Sequence, residues 1–135
     1  MSWLLDTNIL SAAMSADPRV IERLSTLHHG HAAISTVSYA EVTFGLDRAP
    51  QALARKRELF ERLLEHVEVL SWDRAAAIAY AKERLACERE GRRLDQADLM
   101  ILAHAASTGR VLVTRDATLR RRNGKGPHRL RVEGW

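Results

Sequence analysis

Asp6, Glu41, Asp98 and Asp116 are the side chains of this sequence whose type and placement could do chemistry, because each acid falls where an apolar run gives way to a helical pattern. Asp6 closes a first apolar run in LDTNIL, and Asp116 follows another in LVTRD. Glu41 stands in the first turn of a helix that Ser38 is expected to open, and Asp98 in the first turn of one opened near Asp95. Crowded into one cleft, such carboxylates repel: a pair about 4 Å apart costs about 4 kcal/mol at an effective dielectric near 20. The local sequence supplies no cation for each of them, so a hard divalent ion is the natural neutraliser. All-oxygen ligation points to magnesium or manganese rather than zinc or copper. Each acid also has a structural role open to it. Ser38 with Glu41, and Asp95 with Asp98, have the spacing of a capping box; Asp6 could cap a helix over residues 7–14, and Asp116 could sit in a turn.

The elements that must position these acids can be read from periodicity. Short apolar runs at residues 3–5, 32–35, 67–70 and 111–113 are separated by longer helical patterns, and 130–132 could add a fifth strand. Alternating strands and helices predict an α/β protein, three layers α/β/α around a central parallel sheet of four to five strands. Asp17 and Pro18 start a helix well, with Ile21, Leu24 and Leu27 on one face and Gly30 as its stop. Ser38 is expected to open the next, running toward Gly45, and residues 52–66 form an amphipathic helix with Leu53, Leu59, Phe60, Leu63 and Leu64 on its apolar side. Asp73 caps a helix reaching about Glu90, and another runs from near Asp95 to just before Gly109. Ligands of an open parallel sheet gather beyond the carboxyl ends of its strands. All four acids map to that edge, and four independent caps have no reason to coincide there.

A chain of 135 residues with neither repeat nor linker is expected to form a single domain over 1–135. Its 46% apolar and 28% charged residues exclude the disordered and low-complexity classes. Asp6 interrupts the only early hydrophobic stretch, and the longest uncharged one, residues 24–40, carries three histidines, so a cytoplasmic protein without a membrane span is expected. Lone Cys87 suits helix packing better than a metal site. Charge is uneven: from Gly109 to Trp135 eight Lys and Arg face two acids, an excess of six in a chain of net +4. A basic end beside an acidic cleft is the footprint of a phosphate-rich partner.

With LDTNIL, SYAEVTFG, DLMILAHA and LVTRD in order along it, the chain resembles the PIN-domain ribonucleases, and among them most of all the VapC-type toxins of toxin-antitoxin pairs. The likeness runs from the first strand to the closing LRVEGW. It implies an RNA-cleaving site dependent on Mg2+ or Mn2+, a homodimer, and a cognate VapB-like antitoxin. Carried over, the four family acids fall on Asp6, Glu41, Asp98 and Asp116, with Asp6, Asp98 and Asp116 as metal ligands. Thr7 and Asn8 match the polar pair that orients the first acid, and Thr114 is a further candidate for orienting carboxylates. Two positions depart from the pattern. Asp95 replaces a small or neutral residue and is read as the helix cap; Thr118 and Leu119 stand where many relatives have Asp-Phe, which leaves an outer metal position to Asp116 alone.

The reaction expected from such a site is hydrolysis of RNA phosphodiesters by water, with Glu41 completing the shell or assisting proton transfer. Arg115, Arg120, Arg121 and Arg122 are expected to hold RNA phosphates without reading bases. A haloacid-dehalogenase-like phosphatase would need an acid where Asn8 stands, and a phosphoreceiver domain an acidic pair at the first strand. The competing class is a catalytically inactive RNA-binding or regulatory module of the same fold. His29 and His31 flank Gly30 at a helix end, His104 is expected in the core, and Met14, Phe44 and Leu46 are candidates for a partner groove or for packing.

Overall fold

A computed structural model describes residues 1–135, in which the alternating runs become five strands and seven helices. They follow in the order β1 (Trp3–Leu5), α1 (Thr7–Met14), α2 (Pro18–Thr26), β2 (Ala32–Ser35), α3 (Thr36–Asp47), α4 (Ala54–Leu64) and β3 (Glu68–Leu70). The second half contributes α5 (Arg74–Arg89), α6 (Gln96–Thr108), β4 (Val111–Val113), α7 (Ala117–Arg120) and β5 (Val132–Glu133). All strands are parallel, in the order β3-β2-β1-β4-β5, with Leu5 level with both Ile34 and Val113.

Alternation along these strands builds the three layers. Leu5, Ile34 and Val113 point into one core with Ile9, Leu10, Val20, Val42 and Phe60, beneath α1 to α4. Their neighbours Leu4, Ala33 and Leu112 point into a second core with Leu99, Leu102, Cys87 and Leu119, beneath α5 to α7. Strands of three residues make few ladder bonds at about 1 kcal/mol each. Full burial of a leucine or isoleucine contributes about 1.5–3 kcal/mol, so the sheet is held chiefly by what covers its faces.

Caps set the helix starts. Asp17 accepts from the Arg19 and Val20 amides with Pro18 in the first turn, Asp73 accepts from Ala76 N, and Gly109 ends α6 at φ +66°. One expected start is wrong. Ser38 does not open α3; Ser35 does, its hydroxyl accepting from Val37 N at 3.1 Å, because β2 passes into the helix without a linker. Ser38 is buried inside the helix, and Glu41 lies in the second turn, so no capping box joins them. Asp95 occupies the cap position of α6 but its side chain makes no capping bond. Strand β5 begins two residues later and ends one later than expected, and α4 is shorter at both ends than residues 52–66. Met14 and Leu46 are core residues rather than groove residues, whereas Phe44 is exposed.

Candidate active site

The sheet order reverses at β1, which has β2 on one side and β4 on the other. Loops leaving the carboxyl ends of β1 and β4 diverge there and open a crevice. Asp6 leaves β1 into it and doubles as the cap of α1, its Oδ1 accepting from Thr7 N at 2.8 Å. Thr114 and Asp116 leave β4 into it, and Asp116 caps α7 through Thr118 N at 2.7 Å and Leu119 N at 3.1 Å. Structural and chemical roles coincide in these two acids, because a cap places a carboxylate at a strand end with one oxygen spoken for.

Thr114 ties the two strand ends together. Its hydroxyl donates to Asp6 Oδ2 at 2.7 Å and accepts from Asn8 Nδ2 at 3.1 Å and from Asp116 N at 3.0 Å. One donor and two lone pairs are then fully used. Asn8 is held from its other end by Arg115 N on Oδ1 at 3.1 Å. Across the crevice, Thr7 Oγ1 lies 2.9 Å from Glu41 Oε1 and 3.1 Å from Ser38 Oγ. With a single proton, Thr7 donates to the carboxylate and leaves Ser38 as donor in the other bond. Ser38, read from sequence as a cap, thus supports the site instead. Its spacing from Glu41 signalled an association but not its nature.

Electrostatics show that the acids share one space. Burial pushes the Asp6 carboxyl up, opposed by the Thr114 hydroxyl and the Thr7 amide, and the Asp116 charge raises it further. Asp98 is pushed up to about 6, first by burial and then by the charges of Asp6, Asp116, Asp95 and Glu41. Asp95 therefore acts on Asp98 by its charge. None of the four candidate acids is ion-paired with Lys, Arg or His. A cluster of this kind is a carboxylate donor set lacking its counter-charge. No three Asp, Glu, His or Cys side chains close on one point as a finished ion cage. Carboxylate oxygens are the donors that hard divalent cations take, and such an ion can be held by one or two of them while keeping several waters.

The expected phosphate contacts divide. Arg120 and Arg121 are exposed at the end of α7, the helix that Asp116 caps, with the Arg120 guanidinium lying against Gly134. Arg115 has its guanidinium engaged by Asp17 at 2.9 Å and by the Trp135 carbonyl at 3.1 Å, which anchors the chain end. Arg122 is a correction: it is buried, ion-paired with Glu90 and with Glu83 at 3.9 Å, and is no surface contact for RNA. The hydrophobic face of α7 turns Leu119 inward and carries the following residues under α5. His104 is buried and bonds Ser35 Oγ at 2.8 Å, as expected of a core histidine, while His29 lies 3.3 Å from the Glu65 carbonyl, away from the acids.

A parallel sheet with carboxylates at its reversal point is the architecture of the PIN domain, and the model of that domain matches residues 3–125; the chain belongs to the PIN-domain family. Within it the chain is 30% identical over 135 residues to the tRNA(fMet)-specific endonuclease VapC of Shigella flexneri, covering 100% of this chain and 98% of that one. It is 33% identical over 119 residues to ribonuclease VapC1 of Haemophilus influenzae, covering 84% and 86%. Among solved structures it is similar to the DNA-bound VapBC of Salmonella typhimurium, with TM-score 0.85, 28% identity and coverage of 100% and 98%. The fold is shared as well with VapBC2 of Rickettsia felis bound to a promoter DNA fragment, with TM-score 0.87, 24% identity and coverage of 100% and 99%.

Proposed function

We propose that this chain is a divalent-metal-dependent endoribonuclease and the toxin of a toxin-antitoxin pair, with Asp6, Glu41, Asp98 and Asp116 as its catalytic acids. The observation that carries this reading is the convergence of acids from four chain segments on a crevice where Asp98 is raised to about 6 and no cation answers them. Relatives named ribonuclease and endonuclease over nearly the whole chain support it.

Asp6, Asp98 and Asp116 would hold the ion, which when bound supplies Lewis acidity at the phosphoryl group and a more acidic water. Thr114, bonded to Asp6 and to Asp116 N, fixes the separation of the two strand-end acids. Glu41, exposed and tied to Thr7 by one oxygen, keeps the other free to accept a proton from attacking water. Arg120 and Arg121, exposed at the end of the helix that Asp116 caps, would hold RNA phosphates.

The partner is a VapB-like antitoxin, as in the VapBC complexes whose folds this chain shares. A groove of about 470 Å³ between α2 and α4, away from the acids, suits the apolar side of an antitoxin segment through Ile21, Leu24, Leu63 and Val67. Its rim carries Arg62 and His66 without an acid, so the segment would bear carboxylates beside its apolar stripe. No helix of the chain is long and apolar enough to cross a membrane.

Cleavage of end-labelled RNA with magnesium or manganese, repeated with chelator and with Asp6→Asn and Asp98→Asn, tests the proposal. Loss of cleavage by a thousandfold or more in each variant, with unchanged circular dichroism, is expected. Retained turnover by both would overturn it, and binding without cleavage by the metal-loaded wild type would establish the inactive module instead.

A further inference from the structure

Beside the acids lies a small cleft of opposite character, about 30 Å³, lined by Arg92, Arg93, Thr118, Arg121, Arg122 and Lys125 with Leu94. Five of its seven residues are cationic and none is acidic. Arg92, Arg93, Arg121 and Lys125 make no ion pair anywhere in the protein, and all four are exposed. Arg122 is the exception. It is buried at 4% exposure, backed by Glu83 and Glu90, yet its Nε and Nη2 have no hydrogen-bond partner. Even with both carboxylates set against them, five cations leave an excess of three. Four exposed like charges gathered without a counter-charge, over a floor formed by Arg122, describe an anion site. The volume admits about two water-sized atoms at roughly 10–15 Å³ each, the size of the two non-bridging oxygens of a phosphodiester.

Two walls of the cleft are joined through the chain to segments that carry the acids. Arg92, Arg93 and Leu94 immediately precede Asp95 and the α6 turn that carries Asp98. Thr118 is bonded through its amide to Asp116 Oδ1 at 2.7 Å, and Arg121 follows at the end of α7. A chain that presents one phosphodiester to the acids would bring a neighbouring phosphate to this cleft. The apolar groove, by contrast, belongs to the helices on the other face of the sheet.

We propose that Arg92, Arg93, Arg121 and Lys125, over the buried Arg122, form a phosphate subsite that grips the RNA backbone next to the scissile bond and sets which phosphodiester reaches the acids. This rests on the RNA-cleaving function proposed above. Guanidinium and ammonium groups meeting a phosphate give position and salt-dependent affinity without reading a base. The subsite would therefore act on any RNA able to lay its backbone across both clefts.

Two exposed members, Arg93→Gln and Lys125→Gln, are combined in the non-cleaving Asp6→Asn protein, and binding of a single-stranded oligoribonucleotide that the wild type cuts is measured from 50 to 200 mM salt. The slope of log K against log salt should become shallower by about 0.7 per lost contact, with affinity at 100 mM salt falling several-fold. A series of oligonucleotides with one neutral methylphosphonate each should show one position, next to the cut, that weakens binding to Asp6→Asn and adds nothing in the triple variant. In otherwise wild-type enzyme the double substitution should raise KM. An unchanged slope, or equal sensitivity to every methylphosphonate in both proteins, would overturn the subsite, as would weakened antitoxin binding with RNA binding intact. Absence of RNA cleavage by the metal-loaded wild type would instead reject the function on which it rests, so the two failures are distinguishable.

Discussion

The Thr114 hydroxyl donates to Asp6 Oδ2 across 2.7 Å, joining the end of β4 to the end of β1 over 108 residues of chain. Because the same oxygen accepts from Asn8 Nδ2 and Asp116 N, one buried hydroxyl fixes two candidate metal ligands against each other. It also lowers the Asp6 carboxyl, opposing the desolvation that raises it. The bond therefore acts at once on geometry and on charge state.

Thr114→Val keeps the shape of the side chain and removes that hydroxyl. Stranding the buried Asp6 oxygen should cost about 1–3 kcal/mol of stability. With Asp6 no longer tied to the end of β4, RNA cleavage at neutral pH should fall by tenfold or more and need more manganese to reach half its maximum. Thr114→Ser restores the hydroxyl and should recover most of the metal affinity. Metal titration of cleavage in the three proteins checks this, and equal titration curves would show that the hydroxyl only fills space.

Asp98 predicts a pH-dependent stability of definite sign. Its carboxyl ionises near 3.8 in the unfolded chain and near 6 in the fold, so between those values the folded protein holds more protons. Stability contributed by this group therefore falls as pH rises from about 4 through 6, and the full penalty is present at pH 7. The buried Asp6 carboxyl, also raised, acts in the same direction. His104, held below its ordinary value by burial, acts oppositely, since the unfolded chain protonates more readily as pH falls. Comparison with Asp98→Asn isolates the one group. Without metal, the variant should melt several degrees above wild type at pH 7 and level with it near pH 4. Added manganese should raise the wild-type Tm at pH 7 more than that of the variant. A gap independent of pH would mean that Asp98 feels no repulsion.

The layered fold and the candidate acids were legible because their signals are local: apolar runs of strand length, helix caps and Gly stops, an acid just after β1 and β4, and one within each of the helices α3 and α6. The parallel sheet then had to gather those acids at one edge. What stayed hidden depends on tertiary contacts that leave no local mark. Ser38 has the spacing of a cap, but Ser35 already sits at the helix start, so Ser38 turns its hydroxyl to Thr7. Arg122 is one of three successive arginines, and no periodicity tells which of them turns inward toward Glu83. The apolar groove draws on α2 and α4, which are far apart in the chain, and for Met14 the sequence leaves groove and core equally open, which the core beneath α1 resolves.

Ile21 lines the groove and is 46% exposed, so a charge there should leave the core undisturbed. Ile21→Glu places an acid where the proposed antitoxin segment brings its apolar stripe and its own carboxylates. Antitoxin affinity should fall by tenfold or more, while RNA cleavage by the free toxin should match wild type. Co-expression with the antitoxin should then fail to protect growth. Undiminished neutralisation by the antitoxin would remove this groove as its seat.

Glu83 is 1% exposed inside the second layer, where Oε1 accepts from His128 Nδ1 at 2.8 Å and Oε2 lies 3.9 Å from Arg122 Nη2. Gly126 passes so close that a Cβ would meet Glu83 Oε2 at 2.5 Å, and its φ of +76° independently favours glycine. The loop after α7 is thus clamped to α5 by a buried ion network. Removing one partner strands the other charge, so Glu83→Leu and Arg122→Met should each destabilise by about 3 kcal/mol in urea denaturation. The double variant removes both charges and should be less destabilised than the sum of the singles, because a large part of each single loss is the stranded partner. If the two losses simply add, the residues are uncoupled, and the loop is held by Leu119 and Leu130 in the apolar core instead.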